Sequence, residues 1–350
     1  MPNTRQFTTT ESTDQLQKIG AGHCGSVWAA TSTSSSLVIK REDGGEGRSI
    51  THEYDMHRHV IQCLLQSPRV ATAITHTRIN VPRCEGFLAC DDETTWSQIL
   101  PRLPQNYTSC NALISEKIPP MPRQVRKLLS ERLNMGGNPD EIADDSSNAH
   151  CLVRPYLGRR KHRGTGAGEG SRRRLGFYSL RNLPLHADQM ESLGLDLESY
   201  ALAMADTLAF LHWSARVDAN DVEFVLAQGR PHAKSEAQAT SSTSAGFQTG
   251  ALGSHSMWIL DFDCCRKMSM GEAGVKRACK SFWRNDPYYP RPGSDNESDQ
   301  RLWDVFRGRF LETSGRLLEG ETEAARQLPR RLVELIEQTR GMFLRGTDFW

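Results

Sequence analysis

The chain has no long hydrophobic run and almost no net charge. None of its 350 residues belongs to a stretch of about 20 apolar residues, the length that spans a bilayer. Its first residues also have no apolar core of signal-peptide length. With 43 basic and 42 acidic residues the formal net charge is +1, so no global field attracts nucleic acid. We expect a cytoplasmic or nuclear protein without membrane or nucleic-acid partners.

Closely spaced cysteine pairs are also missing. The nine cysteines are scattered, without the C-x₂-C and H-x₃₋₅-H spacings that hold structural zinc. Cys264 and Cys265 are adjacent, so their side chains would diverge on a strand, and Cys84 and Cys90 have no second pair. The sequence therefore predicts reduced thiols and no zinc.

What the chain does have is a glycine-rich loop followed by a lysine on an apolar strand. Residues 19–28 read IGAGHCGSVW and contain the pattern G-x-G-x-x-G-x-V, and the apolar strand leads into Lys40. A glycine backbone can fold closely over phosphates, a valine can cover an adenine ring, and the lysine can reach the phosphates. The residues predicted to bind a nucleotide in this way are Gly20, Gly22, Gly25, Val27 and Lys40.

Dinucleotide-binding proteins share such glycines, so the surrounding sequence has to separate the two kinds of site. A dinucleotide site needs a helix after the loop and an acid about 20 residues further on. Here a Ser/Thr-rich turn at 31–36 and a second strand follow instead. This order predicts a β-hairpin over the ligand and favours a protein-kinase-like fold.

The remaining sequence predicts an α+β, bilobal protein-kinase-like fold, with a small β-rich N-lobe and a larger helical C-lobe. Apolar residues recur at helical spacing within 197–211. Three polar stretches cannot bury enough surface to offset their ordering entropy and are predicted to be mobile insertions. The predicted divisions are a disordered lead at 1–15, an N-lobe at 16–118, a C-lobe at 119–350, and insertions near 134–149, 159–174 and 231–255.

Phosphoryl transfer needs a lysine, a carboxylate that orients it, a carboxylate near the acceptor hydroxyl, and metal ligands. Glu53, in a predicted helix, is the expected partner of Lys40, unless both are ordinary surface charges. The segment 212–226 reads HWSARVDANDVEFVL, and counting back from its apolar end places Asp218 at the catalytic aspartate. Alternatively, Asp218 caps a helix or closes a turn.

Three acids are the predicted metal ligands. Asp261-Phe262-Asp263 stands in the place of D-F-G, so Asp261 would bind Mg²⁺ and Asp263 replaces a glycine. Glu223 stands where a metal-binding asparagine is expected. These extra carboxylates would either hold the metal or repel the phosphates of a nucleotide. ATP and Mg²⁺ are therefore the expected cofactors of a working site.

Taken together, the glycine loop, Lys40, Asp218 and Asp261 resemble a degenerate protein-kinase-like fold. Most of the chain also resembles a group of filamentous-fungal proteins of unknown function that are often named "zinc finger protein". The resemblance implies the fold and a fungal origin, and it brings no established reaction. The matching phrases are ISEKIPPMP (114–122), CLVRPYLGRR (151–160), FYSLRNLPLHADQM (177–190), MADTLAFLHW (204–213), VDANDVEFVL (217–226), WILDFDCCR (258–266) and NDPYYPRP (285–292).

Three functions are compatible with the sequence. The favoured one is a pseudokinase or nucleotide-binding regulator or scaffold, because only Asp218 survives of the four catalytic-loop signature residues. The second is an atypical ATP-dependent kinase that phosphorylates a protein or a small metabolite. The third is an accessory protein of a fungal secondary-metabolite gene cluster. Whether Glu223 and Asp263 coordinate Mg²⁺ separates the first two.

Overall fold

The computed structural model describes residues 14–31, 36–66, 70, 80–161, 179–231 and 246–343. Within these residues the chain is a mixed α+β protein with two five-stranded sheets. The α+β class predicted from the sequence is confirmed. The predicted disordered lead at 1–15 lies almost entirely outside the described residues.

The first sheet is antiparallel, and its strand order is β1-β2-β3-β5-β4. Side chains alternate between its faces, so Trp28 and Ile39 point into one apolar cluster with Ile114. Lys40 lies opposite Val27 on β2 and points to the other face. The strands are β1 (Leu16–Ala21), β2 (Ser26–Ala30), β3 (Leu37–Arg41), β4 (Cys84–Leu88) and β5 (Ala112–Glu116).

Two helices accompany this sheet. Helix α1 (Ile50–Gln66) contacts β4 and β5, and it carries buried Glu53 in its first turn. Helix α2 (Glu93–Ile99) begins at Asp92, whose side chain accepts the N–H of Thr95 and so satisfies one free donor of the first turn. Trp96 of α2 joins the apolar cluster of Trp28 and Ile39.

The second sheet has the strand order β7-β6-β8-β10-β9. Among these described strands the β6–β7 pairing is parallel and the other pairings are antiparallel. It lies beside the main apolar core, to which helices contribute most of the buried side chains. Its strands are β6 (Val153–Tyr156), β7 (Leu183–His186), β8 (Glu223–Ala227), β9 (Phe247–Thr249) and β10 (Gly253–Leu260). The helices that follow α2 in the chain are α3 (Arg123–Arg132), α4 (Pro139–Asp144), α5 (Ala187–Ser192), α6 (Leu197–Ala209), α7 (Glu272–Arg284), α8 (Glu297–Leu317) and α9 (Glu323–Phe343).

Helix α6 is the central helix of this core, where the apolar spacing predicted one. It begins at Asp196, whose side chain accepts the N–H of Ser199, and it continues into a π-helical turn at Phe210–Ser214. It packs against α8, and its small residues Ala203 and Ala205 are buried. No helix in the described part of the chain is both long and apolar enough to cross a membrane.

The structure differs from the prediction of mobile insertions. Residues 134–149 form α4 and a short 3₁₀ turn, and buried Asn148 accepts the N–H of Leu180 and donates to Ile142. Within 231–255, residues 246–255 contribute β9 and the start of β10. Composition misled the prediction, because side-chain hydrogen bonds and a few buried residues hold these polar segments. Residues 162–174 and 232–245 lie outside the described residues.

A buried ion pair joins α6 to α8 and gives a prediction for stability. Asp206 has no exposed surface; its carboxylate accepts hydrogen bonds from Arg309 at 2.7 and 3.0 Å and from Thr313 at 2.5 Å. Asp206→Ala should lower the free energy of unfolding by about 3–5 kcal/mol, because Arg309 and Thr313 lose their buried acceptor and Arg309 keeps only the exposed Glu312 as a partner. Equilibrium urea denaturation measures the change.

The matched control breaks an ion pair that is exposed to solvent. Glu323 pairs with Arg326 on the surface of α9, and both side chains are exposed. Glu323→Gln should leave the urea midpoint almost unchanged, because exposed pairs contribute little. Equal losses in the two variants would contradict the assignment of Asp206 to the packing of α6 on α8.

Candidate functional site

Three side chains predicted from distant parts of the sequence meet in one cleft. The ammonium of Lys40 lies 2.9 Å from Oε1 and 2.8 Å from Oε2 of Glu53. It also lies 2.9 Å from Oδ1 of Asp261. Strand β3 supplies the lysine, α1 supplies the glutamate, and the turn after β10 supplies the aspartate. Lys40 and Glu53 are thus paired as expected, and Asp261 joins them.

Local backbone geometry and burial set this arrangement. Asp261 has φ of 68°, a left-handed conformation that few residues other than glycine adopt, and it reverses the chain at the end of β10. Burial alone would lower the pKa of Lys40, but Glu53 and Asp261 raise it above its usual value. The lysine therefore stays charged, and its charge offsets the burial of Glu53, which is 3% exposed.

The glycine loop lies above this ion pair, and two of its glycines line the cleft together with Val27. These are Gly20 and Gly22. Gly25 does not line the cleft but meets the turn after β3, where an added Cβ would lie 1.8 Å from the carbonyl oxygen of Arg41. Packing within the sheet therefore accounts for Gly25 without any phosphate.

Backbone hydrogen bonds hold the tip of the loop down. The N–H of Gly44 donates to Cys24 at 3.2 Å, and the N–H of Gly45 donates to His23 at 2.8 Å. Within the loop, Gly22 donates to Gly25 at 2.8 Å. The side chain of Cys24 is buried and also lines the cleft. The loop is thus tied to the turn that follows β3.

Beside the ion pair lies a slot with aliphatic walls. Val27 and Val38 from the first sheet form one wall, and Leu152 and Leu260 from the second sheet region form the other. Ile118 lies in the segment that follows β5 and closes the slot. The cavity volume is about 190 Å³. Ligand pockets for drug-sized molecules span roughly 300–1,000 Å³, so the cleft suits a compact ligand in this conformation.

Glu223, a predicted metal ligand, lines the cleft but is bound by an arginine that the sequence did not identify. Nη2 of Arg154 on β6 lies 2.5 Å and 2.6 Å from the two carboxylate oxygens of Glu223. Burial raises the pKa of Glu223 to about 7, although Arg154 opposes the shift. The sequence feature that could have identified Arg154 is its charge within the short, otherwise apolar segment that forms β6.

Asp263 lies just outside the cleft lining and is held by a different arginine. Nη1 of Arg48 lies 2.7 Å from Oδ1 of Asp263, and the same guanidinium binds Asp221 at 3.1 and 3.2 Å and contacts the sulfur of Cys264. Burial raises the pKa of Asp263, and the neighbouring Asp261 adds to the shift. Arg48 precedes α1, so this cluster ties the first helix to the turn after β10.

Asp218, the predicted catalytic aspartate, is buried and does not line the cleft. Its Oδ1 accepts the backbone N–H groups of Asn220 at 3.2 Å and Arg266 at 2.9 Å. Burial raises the pKa of its carboxyl, while these two hydrogen bonds oppose the shift. The contacts correspond to the alternative expected from the sequence, an aspartate that closes a turn.

Comparison with known proteins finds one partial relationship. Residues 257–322 match the model of a domain family of unknown function that is described as "Zinc finger protein". The matched segment runs from within β10 through α7 and α8. The match agrees with the expected family of unknown function. No curated protein matches the chain.

The prediction that the chain binds no zinc is wrong on two findings. The matching family carries the zinc finger description, and Asp221, Asp263 and Cys264 place three ligand atoms within 4.8 Å of one another, as a metal site requires. The sequence argument considered only Cys and His at short spacing. It missed this group because the fold brings Asp221, which precedes β8, beside two residues that follow β10.

The loop contacts predict that its glycines differ in importance. Gly25→Ala should lower stability by about 1–3 kcal/mol or more, because the new Cβ overlaps the carbonyl of Arg41. Gly22→Ala is the matched control, since an added Cβ there meets nothing within 4 Å. Thermal melting of both variants measures the difference, and equal melting temperatures would refute the packing role of Gly25.

The raised pKa of Glu223 predicts a pH-dependent stability. The folded carboxyl has a pKa of about 7, above its ordinary value of 4.5, so the folded chain keeps a proton that the unfolded chain loses. Its contribution is complete below about pH 4.5 and falls as the pH rises to about 7. The melting temperature of the wild type minus that of Glu223→Gln should therefore fall by several degrees across this window. A constant difference would contradict the assignment.

Proposed function

We propose that this chain is a pseudokinase, a non-catalytic protein that binds a flat heteroaromatic ligand in its cleft and acts as a regulator or scaffold. The observation that carries the proposal is the ion-pair network of Lys40 with Glu53 and Asp261, which lies beside an aliphatic slot and under a glycine loop. Aliphatic walls on both sides of a slot suit a planar ring.

The proposal includes a bilobal, kinase-like arrangement and an origin in the fungal family that the sequence resembles. The first sheet with α1 corresponds to a small lobe, and the second sheet with helices α3 to α9 corresponds to a large one. The cleft residues support this correspondence, because Lys40 and Val38 come from the first part while Leu152 and Asp261 come from the second.

The absence of phosphoryl transfer follows from how the predicted metal ligands are paired. Asp261 binds Lys40, Glu223 binds Arg154, and Asp263 binds Arg48. A magnesium ion requires a near-octahedral set of oxygen ligands. To coordinate Glu223, the magnesium ion would have to displace the largely buried Arg154. That arginine would then lose part of the negative charge that offsets its burial. The residues present therefore do not fit Mg²⁺.

The position of Asp218 supports the same conclusion. A general base has to reach the proton of the acceptor hydroxyl, directly or through one water. Asp218 is buried outside the cleft lining, and its Oδ1 already accepts two backbone N–H groups. This geometry favours a structural turn over a proton acceptor.

Ligand binding and turnover can be measured separately. Full-length protein should bind adenosine in isothermal titration and should transfer no phosphate from radiolabelled ATP with Mg²⁺ to itself or to water. Val38→Phe should abolish binding, because the larger ring fills the slot. Leu202→Phe is the control, since Leu202 is 37% exposed on α6 and its substitution should leave binding unchanged.

Two results would contradict the proposal in different ways. Phosphate transfer that is lost in Lys40→Ala would identify an active kinase. If the folded wild type binds neither adenosine nor ATP, the ligand-binding part of the proposal is wrong, and only a scaffold role is left. If Val38→Phe fails to fold, Leu152→Trp fills the slot from the opposite wall.

A further inference from the structure

The charged side chains that line the cleft leave no surplus of positive charge. Lys40, Lys117 and Arg154 face four carboxylates. Burial lowers the pKa of the two histidines in the lining, His57 and His150, to about 4, so both are neutral near pH 7. Burial also raises the pKa of Glu53 and of Glu223 to about 7, so both are only partly ionised near pH 7 and the lining charges roughly balance. A phosphorylated ligand would therefore find no surplus of positive charge in the cleft. The four carboxylates belong to Glu53, Glu116, Glu223 and Asp261.

The cations nearest the ion-pair network are also committed to carboxylates. The ammonium of Lys40 contacts three carboxylate oxygens within 2.9 Å. Nη2 of Arg154 contacts both oxygens of Glu223, and Nη1 lies 3.5 Å from Asp286. A phosphate would gain these donors only by displacing partly or fully buried carboxylates, which costs more than the exchange of exposed charges.

One backbone donor of the glycine loop is already in use. The N–H of Gly22 is used within the loop, and the turn after β3 holds the carbonyls of His23 and Cys24. Burial raises the pKa of the Cys24 thiol to about 12, so the side chain that lines the cleft at the loop is uncharged.

We infer that the cleft selects an uncharged, flat heteroaromatic ligand of the purine-nucleoside class and discriminates against its phosphorylated forms. This inference rests on the proposed ligand cleft and specifies the chemistry of what it takes. The aliphatic slot provides affinity for the ring, and the carboxylates around Lys40 and Arg154 provide the discrimination.

A titration series with adenosine, AMP and ATP tests the inference on the full chain. Each ligand is titrated by calorimetry once with EDTA and once with Mg²⁺. Adenosine should bind tightest, AMP at least about fivefold more weakly and ATP more weakly again, since each added phosphate meets cations that are already paired with carboxylates. Mg²⁺ should change the affinity for ATP by less than about threefold, because the carboxylates are already paired.

A charge variant tests the cause of the discrimination. Glu223→Gln removes one carboxylate and releases donors of Arg154, so the ratio of adenosine affinity to AMP affinity should fall about tenfold. Asp304→Asn is the matched control, because it removes an acid on α8 that does not line the cleft. The control should leave that ratio unchanged.

The outcomes separate this inference from the proposed function. If AMP or ATP binds as tightly as adenosine, with or without Mg²⁺, the inference is wrong and the ligand cleft stands. If Glu223→Gln folds but keeps the wild-type ratio, the assigned cause is wrong. If none of the three ligands binds, the ligand cleft itself is wrong and the inference falls with it. The wild-type titrations test the inference even if the Glu223→Gln variant does not fold.

Discussion

The ammonium of Lys40 is the point on which the candidate site depends. It joins the first sheet to α1 through Glu53 and to the end of β10 through Asp261. Glu53 is almost fully buried, so loss of the lysine would leave a carboxylate with neither water nor a counter-charge. The position of α1 against the sheet and the shape of the cleft both follow from this requirement.

Two arginines repeat the same pattern around that network. Arg154 neutralises Glu223 at the floor of the cleft, and Arg48 neutralises Asp263 and Asp221 beside it. Acids that could bind a cation are thus held by cations of the protein. In the pseudokinase that we propose, this pairing takes the place of a metal–phosphate complex. It also means that the Asp221–Asp263–Cys264 group is a set of metal-type ligands gathered around a guanidinium.

Much of the local structure could be predicted because it depends on short-range patterns. The G-x-G-x-x-G-x-V spacing predicted the β1–β2 turn, and apolar periodicity predicted α6. The same reasoning failed at 134–149, where composition suggested a mobile loop. There Met135 and Ala143 are buried, and Arg123 pairs with Asp144 2.5 Å away. Those contacts involve residues outside the polar segment, so its composition could not reveal them.

By itself the sequence determined that Lys40 lies on a strand after a glycine-containing turn and that Glu53 lies on the next helix. Both features depend on residue spacing over a short stretch of sequence. Only the tertiary structure decided the partners of the predicted metal ligands. Arg154 is 69 residues from Glu223, and Arg48 is 215 residues from Asp263. Such pairs arise from how the sheets and helices pack, and no local pattern of charge or hydrophobicity specifies them.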